Sequence, residues 1–122
     1  MPLDLAGLPT TNFAAKAVIF MQGEPADVAY VLVSGLVAIM APNKKGELVA
    51  LSKIGPGQIF GEMALIVGTP RTAMAVADEP SVCIVINREA LTREMSKADP
   101  FLRSWIQYMS ARLIDISGRE GQ

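Results

Sequence analysis

Residues 60–77 read FGEMALIVGTPRTAMAVA, and this string decides how the whole chain is read. Gly61 permits a positive-φ turn or a close approach of backbone to a ligand. Glu62-Met63-Ala64-Leu65-Ile66 fits one or two helical turns directly after it. The first N–H groups of such a helix lack intrahelical partners and lie at the positive end of its dipole, so they suit an anion. Gly68-Thr69-Pro70 then reverses the chain and returns Arg71 to the same place. A guanidinium facing a helix N-terminus makes a phosphate clamp, with charge-assisted bonds from both sides.

Arg71 is the only cation between Lys53 and Arg88. Its neighbours in sequence are apolar, and burying an unpaired guanidinium is costly. An anion is therefore expected beside it, either a ligand or the carboxylate of Glu62. In the first case Glu62 needs a donor of its own, because a free carboxylate repels phosphate, and a sugar hydroxyl supplies one. Ribose beside a single phosphate describes a cyclic nucleotide or a similarly compact nucleotide. In the second case the two residues form an ion pair across a turn.

Outward from this string lie short apolar runs separated by Gly, Pro and Asn. Strands are expected at 17–21, 28–33, 36–40, 47–51, 73–77 and 82–86. Their lengths and the turn signals between them point to a β-sandwich or barrel. No useful helix fits between the early strands, which argues against a parallel βαβ sheet. Lys44–Lys45, between Pro42 and Gly46, reads as a hairpin tip in water. Residues 1–12 read as a lead-in, so the β-body is expected over about 13–87.

The last third changes texture. Asn87 can cap a helix from Arg88 to about Lys97, and Asp99 a second one with Pro100 at its first position. In the second helix Leu102, Ile106, Met109, Leu113 and Ile116 recur at heptad spacing. This seam serves either a homodimer or packing against the chain's own β-body. The C-terminal helices are expected over about 88–117. The fold class is therefore α+β, mainly β: an antiparallel roll with a short helix inserted near its middle and helices at its C-terminal end.

Composition narrows the function. The chain has 122 residues, 51% hydrophobic and 19% charged, with a net charge of -1. That length suits one domain, 1–122. Scattered Lys and Arg argue against direct DNA binding, which needs clustered cations. No histidine is present, so His-based acid–base catalysis, Ser-His or Cys-His activation and His-rich metal sites are excluded. Not an enzyme, no metal and no cofactor are the resulting expectations. The single cysteine, Cys83, lies in an apolar run and is expected to be buried and inert. No apolar stretch is long enough to span a membrane and no secretory signal is evident, which points to the cytoplasm.

The residues Phe60-Gly61-Glu62-Met63-Ala64-Leu65 and Pro70-Arg71-Thr72-Ala73 resemble the phosphate-binding cassette of the cyclic-nucleotide-binding domain family. The likeness runs from about Phe13 to Ser117 and includes the glycines at 23, 35, 57 and 61. It implies a β-roll, or jelly roll, that binds cyclic AMP or cyclic GMP in signal transduction. It implies that Glu62 accepts a hydrogen bond from the ribose 2′-hydroxyl and that Arg71 holds the cyclic phosphate. The N–H groups of Met63, Ala64 and Ala73 and the Thr72 hydroxyl would complete the cradle, and Gly61 would permit the approach of the ribose. Val49 and Leu51 would lie near the purine.

The last helix would close over the base, with Arg112, Ile116 and Ser117 as its lid residues. Ile116 stands where a polar residue reads the base in the bacterial catabolite activator protein, so selectivity passes to Thr72, Arg112, Ser117 or apolar contact. Cyclic AMP is expected ahead of cyclic GMP. The resemblance implies regulation by ligand-driven movement of the C-terminal helices, acting on an effector protein that the sequence does not identify. No DNA-binding domain follows Gln122, so the chain reads as a stand-alone module or an excised domain. The alternative is an interaction or dimerisation domain that keeps the fold without the ligand.

Overall fold

The computed structural model describes residues 7–97 and Ser104. In chain order it contains β1 (Thr10–Phe13), β2 (Val18–Phe20), β3 (Val28–Ser34), β4 (Val37–Pro42), β5 (Leu48–Ile54), β6 (Ile59–Phe60), α1 (Glu62–Val67), β7 (Met74–Ala77), β8 (Ser81–Asn87) and α2 (Arg88–Ser96). The strands form two four-stranded antiparallel sheets, ordered β1-β8-β3-β6 and β2-β7-β4-β5. This is the expected mainly-β roll, with α1 inserted between β6 and β7.

Side-chain alternation explains why β3 and β8 are continuous apolar runs. Leu32 and Cys83 enter one buried cluster with Phe20, Val37, Phe60 and Ala75. Ala29, Val31 and Ile86 enter a second cluster with Leu65 of α1 and Ala90 and Leu91 of α2. Each strand is thus covered on both faces, which removes the polar face of a half-exposed strand. The first cluster carries the aromatic residues: the Tyr30 and Phe60 rings stack with centroids 5.3 Å apart, and Phe20 lies 6.3 Å from each. Such pairs contribute roughly 0.5–1.5 kcal/mol beyond their buried area.

The turn chemistry follows the sequence. Asn43 Oδ1 accepts the N–H groups of Lys45 and Glu47 at 2.9 and 3.0 Å, which leaves Lys44 and Lys45 exposed at the β4–β5 tip. Asn87 Oδ1 accepts the Ala90 N–H at 2.8 Å and caps α2 as expected.

Three elements differ from the sequence reading. The lead-in joins the roll: residues 10–13 form β1, paired to β8 in the register Thr10↔Ile84 to Phe13↔Ser81, so the roll begins before Phe13. β6 is an additional two-residue strand held by Tyr30 and Val31. Pro42 ends β4 instead of breaking it before that point, because β4 pairs with β7 only as far as Met40. Beyond Met40 that edge of β4 has no partner strand, so a missing N–H costs no ladder bond. The expected seam of Leu102, Ile106, Met109 and Leu113, and the expected lid residues Arg112, Ile116 and Ser117, lie outside the described residues. Among the described residues no helix is long and apolar enough to cross a membrane.

Candidate ligand-binding site

α1 is a six-residue helix set between two glycines in the left-handed region, Gly61 at φ 77° and Gly68 at φ 84°. No side chain caps its N-terminus. At its other end the Gly68 and Thr69 N–H groups both donate to the Ala64 carbonyl, at 2.8 and 3.1 Å. Leu65 is fully buried and anchors α1 in the second cluster. Glu62 and Met63 are left at the edge of a cavity of about 220 Å³.

Gly61, Glu62, Met63, Ala64, Arg71, Thr72 and Ala73 all line this one cavity. The string therefore folds back on itself as its turn signals required. Ile59 and Phe60 of β6 line it where the string begins, and strands distant in sequence supply Phe20, Ile39, Ser52 and Ile54. Val49 and Leu51 do not line it: both are exposed on β5, and Ser52 and Ile54 hold that wall instead. The β4–β5 register steps from Ile39↔Ser52 to Met40↔Ala50, so Leu51 is an extra residue without a partner on β4.

Arg71 is 5% exposed. Its Nη1 donates to the Gly61 carbonyl at 2.6 Å and its Nη2 to the Val28 carbonyl at 2.5 Å. Its guanidinium also lies over the Phe20 ring, 4.1 Å from the centroid. The backbone of Arg71 is tied as firmly. Its N–H donates to the Glu24 carbonyl and its carbonyl accepts the Gly23 N–H, both at 2.8 Å. Among the described residues no ion pair joins Arg71 to Glu62. Of the two anions expected beside Arg71, the Glu62 carboxylate is therefore not paired with it: two carbonyls and an aromatic face offset the cost of burial. Its Nε–H has no partner, and neither has the buried Thr69 hydroxyl.

Gly61 has a use that the sequence did not show. A Cβ at this position would stand 2.8 Å from Arg71 Nη1 and 3.1 Å from a Phe20 ring carbon. The glycine thus makes room for the arginine as well as for the chain reversal.

Burial pushes the Glu62 carboxyl above its ordinary value, while its own backbone N–H and the charge of Arg71 act against that shift. Burial lowers Arg71 from the ordinary guanidinium value, and Tyr30, Glu24, Asp27 and Glu62 oppose it. The cavity thus sets a carboxyl whose charge burial disfavours beside a buried guanidinium, against largely apolar walls. Such a surface takes a small ligand with one anionic group and one hydroxyl. Among the described residues no cluster of His, Cys, Asp and Glu could hold a metal ion.

The model of the cyclic nucleotide-binding domain family matches residues 10–98. The chain belongs to the cyclic nucleotide-binding domain family. The matched span opens at β1 and closes just past α2, so it coincides with the roll as folded. A cGMP-dependent protein kinase from Eimeria tenella is 38% identical over 86 residues, which is 70% of this chain and 8% of that protein. The EAL enzyme Bd1971 in its cAMP-bound form superposes with a TM-score of 0.78 at 28% identity, over 87% of this chain and 28% of that one. Its cGMP-bound form gives 0.76 at 29% identity over the same shares. The chain therefore spans only a small part of these relatives, and the two ligand forms resemble it almost equally.

Proposed function

We propose that this domain binds a cyclic nucleotide in the cavity beside α1 and acts as a regulatory module. The observation that carries the reading is Arg71: it lines the cavity, it is buried, and its Nη atoms are held toward the start of α1 by the Gly61 and Val28 carbonyls. A guanidinium has five N–H donors. Each carbonyl bond takes one Nη hydrogen, and the second hydrogen of each Nη is the donor offered to a phosphate. Glu62 accepts from the ribose 2′-hydroxyl. The N–H groups of Met63, Ala64 and Ala73 and the Thr72 hydroxyl complete the cradle. Relatives in cAMP-bound and cGMP-bound forms share this fold.

We assign cyclic AMP ahead of cyclic GMP. Guanine carries two exocyclic polar groups and adenine one, and each unpartnered polar group costs free energy on burial. With Thr72 engaged in the cradle, Ser52 is the one hydroxyl side chain among the described lining residues left for the base. The module works by differential affinity for two arrangements of its C-terminal helices. Catalysis is assigned to none of its residues. A single domain, a cytoplasmic setting, an effector protein and a homodimer through Leu102, Ile106, Met109 and Leu113 complete the proposal.

The test is calorimetric titration with each nucleotide. Cyclic AMP should bind more tightly, and Glu62→Gln should weaken binding while leaving the fold intact. Equal binding by parent and Glu62→Gln would remove the assignment of the ribose contact.

A second reading, a fold-only interaction domain, is favoured by one observation: Arg71 is already held by the Gly61 and Val28 carbonyls. Thermal melting separates the two readings. A ligand at about 100 times its dissociation constant adds ~2.7 kcal/mol, and no shift with either nucleotide would favour the second.

A further inference from the structure

We propose that Arg88 is the positioning residue that ties α1 to α2 and so transmits occupancy of the cavity to the C-terminal helices. Its Nη1 donates to the Leu65 carbonyl at 2.6 Å, across 23 positions of sequence. That carbonyl lies near the C-terminal end of α1, where the helix dipole is negative and a cation is favoured. Arg88 is also the first residue of α2, just after its Asn87 cap. A cation at that place is unfavourable for α2 itself. Its position is thus poor for its own helix and good for the neighbouring one, as expected of a cross-link between them.

The rest of α1 makes such a link effective. The helix has left-handed glycines at both ends and no side-chain cap at its start. Its apolar tie to α2 is indirect: Leu65 shares one buried cluster with Ala90 and Leu91. Apolar contact is non-directional and tolerates sliding, whereas a hydrogen bond fixes both direction and distance. A shift of α1 caused by a ligand on Glu62, Met63 and Ala64 therefore reaches α2 through the Leu65 carbonyl and Arg88. The trigger rests on the proposed nucleotide site, but the link itself belongs to the ligand-free fold.

Hydrogen exchange of the full chain, read by mass spectrometry, tests both parts. In ligand-free protein, Arg88→Gln should speed exchange in the α1 segment, including the Gly68 and Thr69 amides, by about fivefold or more, the factor equivalent to ~1 kcal/mol. Arg88→Lys should restore most of the protection. Arg93→Gln, a second arginine of α2, should leave α1 unchanged. An unchanged α1 in Arg88→Gln overturns the link. With cyclic AMP added, the parent should change its exchange across residues 88–96. Arg88→Gln should still bind but lose most of that change, and a full response in this variant also overturns the proposal. Failure of the parent to bind either nucleotide would instead overturn the reading of the cavity, and the ligand-free comparison still decides the link.

Discussion

The Arg71 guanidinium rests on the face of Phe20, 4.1 Å from the ring centroid. Phe20 in turn packs with Tyr30 and Phe60, so Arg71, the one cation among the described lining residues, completes an aromatic stack. The core and the site share this ring, and a change there should appear in both stability and affinity.

Phe20→Leu keeps an apolar side chain and removes the face. A cation–π contact is worth ~0.5–2 kcal/mol, so cyclic-nucleotide affinity should fall by about 2- to 30-fold. The melting temperature should fall as well, through loss of the aromatic pairs. Calorimetry and thermal melting on the same sample check both. Unaltered affinity would mean that the ring does not position Arg71.

Gly61→Ala should harm the fold and the site together. The left-handed conformation costs an L-residue roughly 1–2 kcal/mol, and the new Cβ would press on Arg71 Nη1 and Phe20. Gly57→Ala is the control: φ is +87° there, but a Cβ meets nothing within 4 Å. Both variants should melt lower, and only Gly61→Ala should lose most of its nucleotide affinity.

The raised pKa of Glu62 gives two opposite pH dependences. Folding favours the protonated form. That contribution to stability is therefore fully present below the ordinary value of 4.5 and is lost as pH rises through the folded value. Nucleotide binding needs the ionised carboxylate as acceptor, so affinity should fall as pH drops through that same raised value. Glu62→Gln should flatten both profiles. Titrations and melts between about pH 7 and pH 4.5 provide the measurement.

Cys83 is fully buried, and burial pushes its thiol up to about 11. Reaction with a thiol reagent at neutral pH should therefore be limited by opening of the roll. Ligand should slow it, because binding stabilises the folded state. A labelling rate in native protein close to that of unfolded chain would contradict this.

The contiguous half of the site was legible because a single string carries it. Gly61, Gly68 and Pro70 dictate the reversals that bring Arg71, Thr72 and Ala73 to Glu62, Met63 and Ala64. The other half depends on sheet register. Leu48, Val49, Ala50 and Leu51 put apolar side chains on both faces of β5, so hydrophobicity does not say which face is inward. The unpaired Leu51 at the step in the β4–β5 register adds a local irregularity. Ser52 had a weak signal as the first polar residue of that strand. Phe20 and Ile39 had none, since core residues and cavity walls look alike in sequence. The partners of Arg71 were invisible for a different reason: backbone carbonyls at 28 and 61 have no side-chain signature. β1 was missed because Thr10, Thr11 and Asn12 lack apolar pattern, and pairing with β8 overrides their local preference.

The double attachment of Arg71, by side chain to Gly61 and Val28 and by backbone to Gly23 and Glu24, has an evolutionary consequence. Selection for folding and selection for ligand fall on the same residue. A descendant that abandoned its nucleotide would still retain Arg71, to hold the β2–β3 loop against the start of α1. Glu62, whose burial works against its charge, has no comparable structural duty and would drift first.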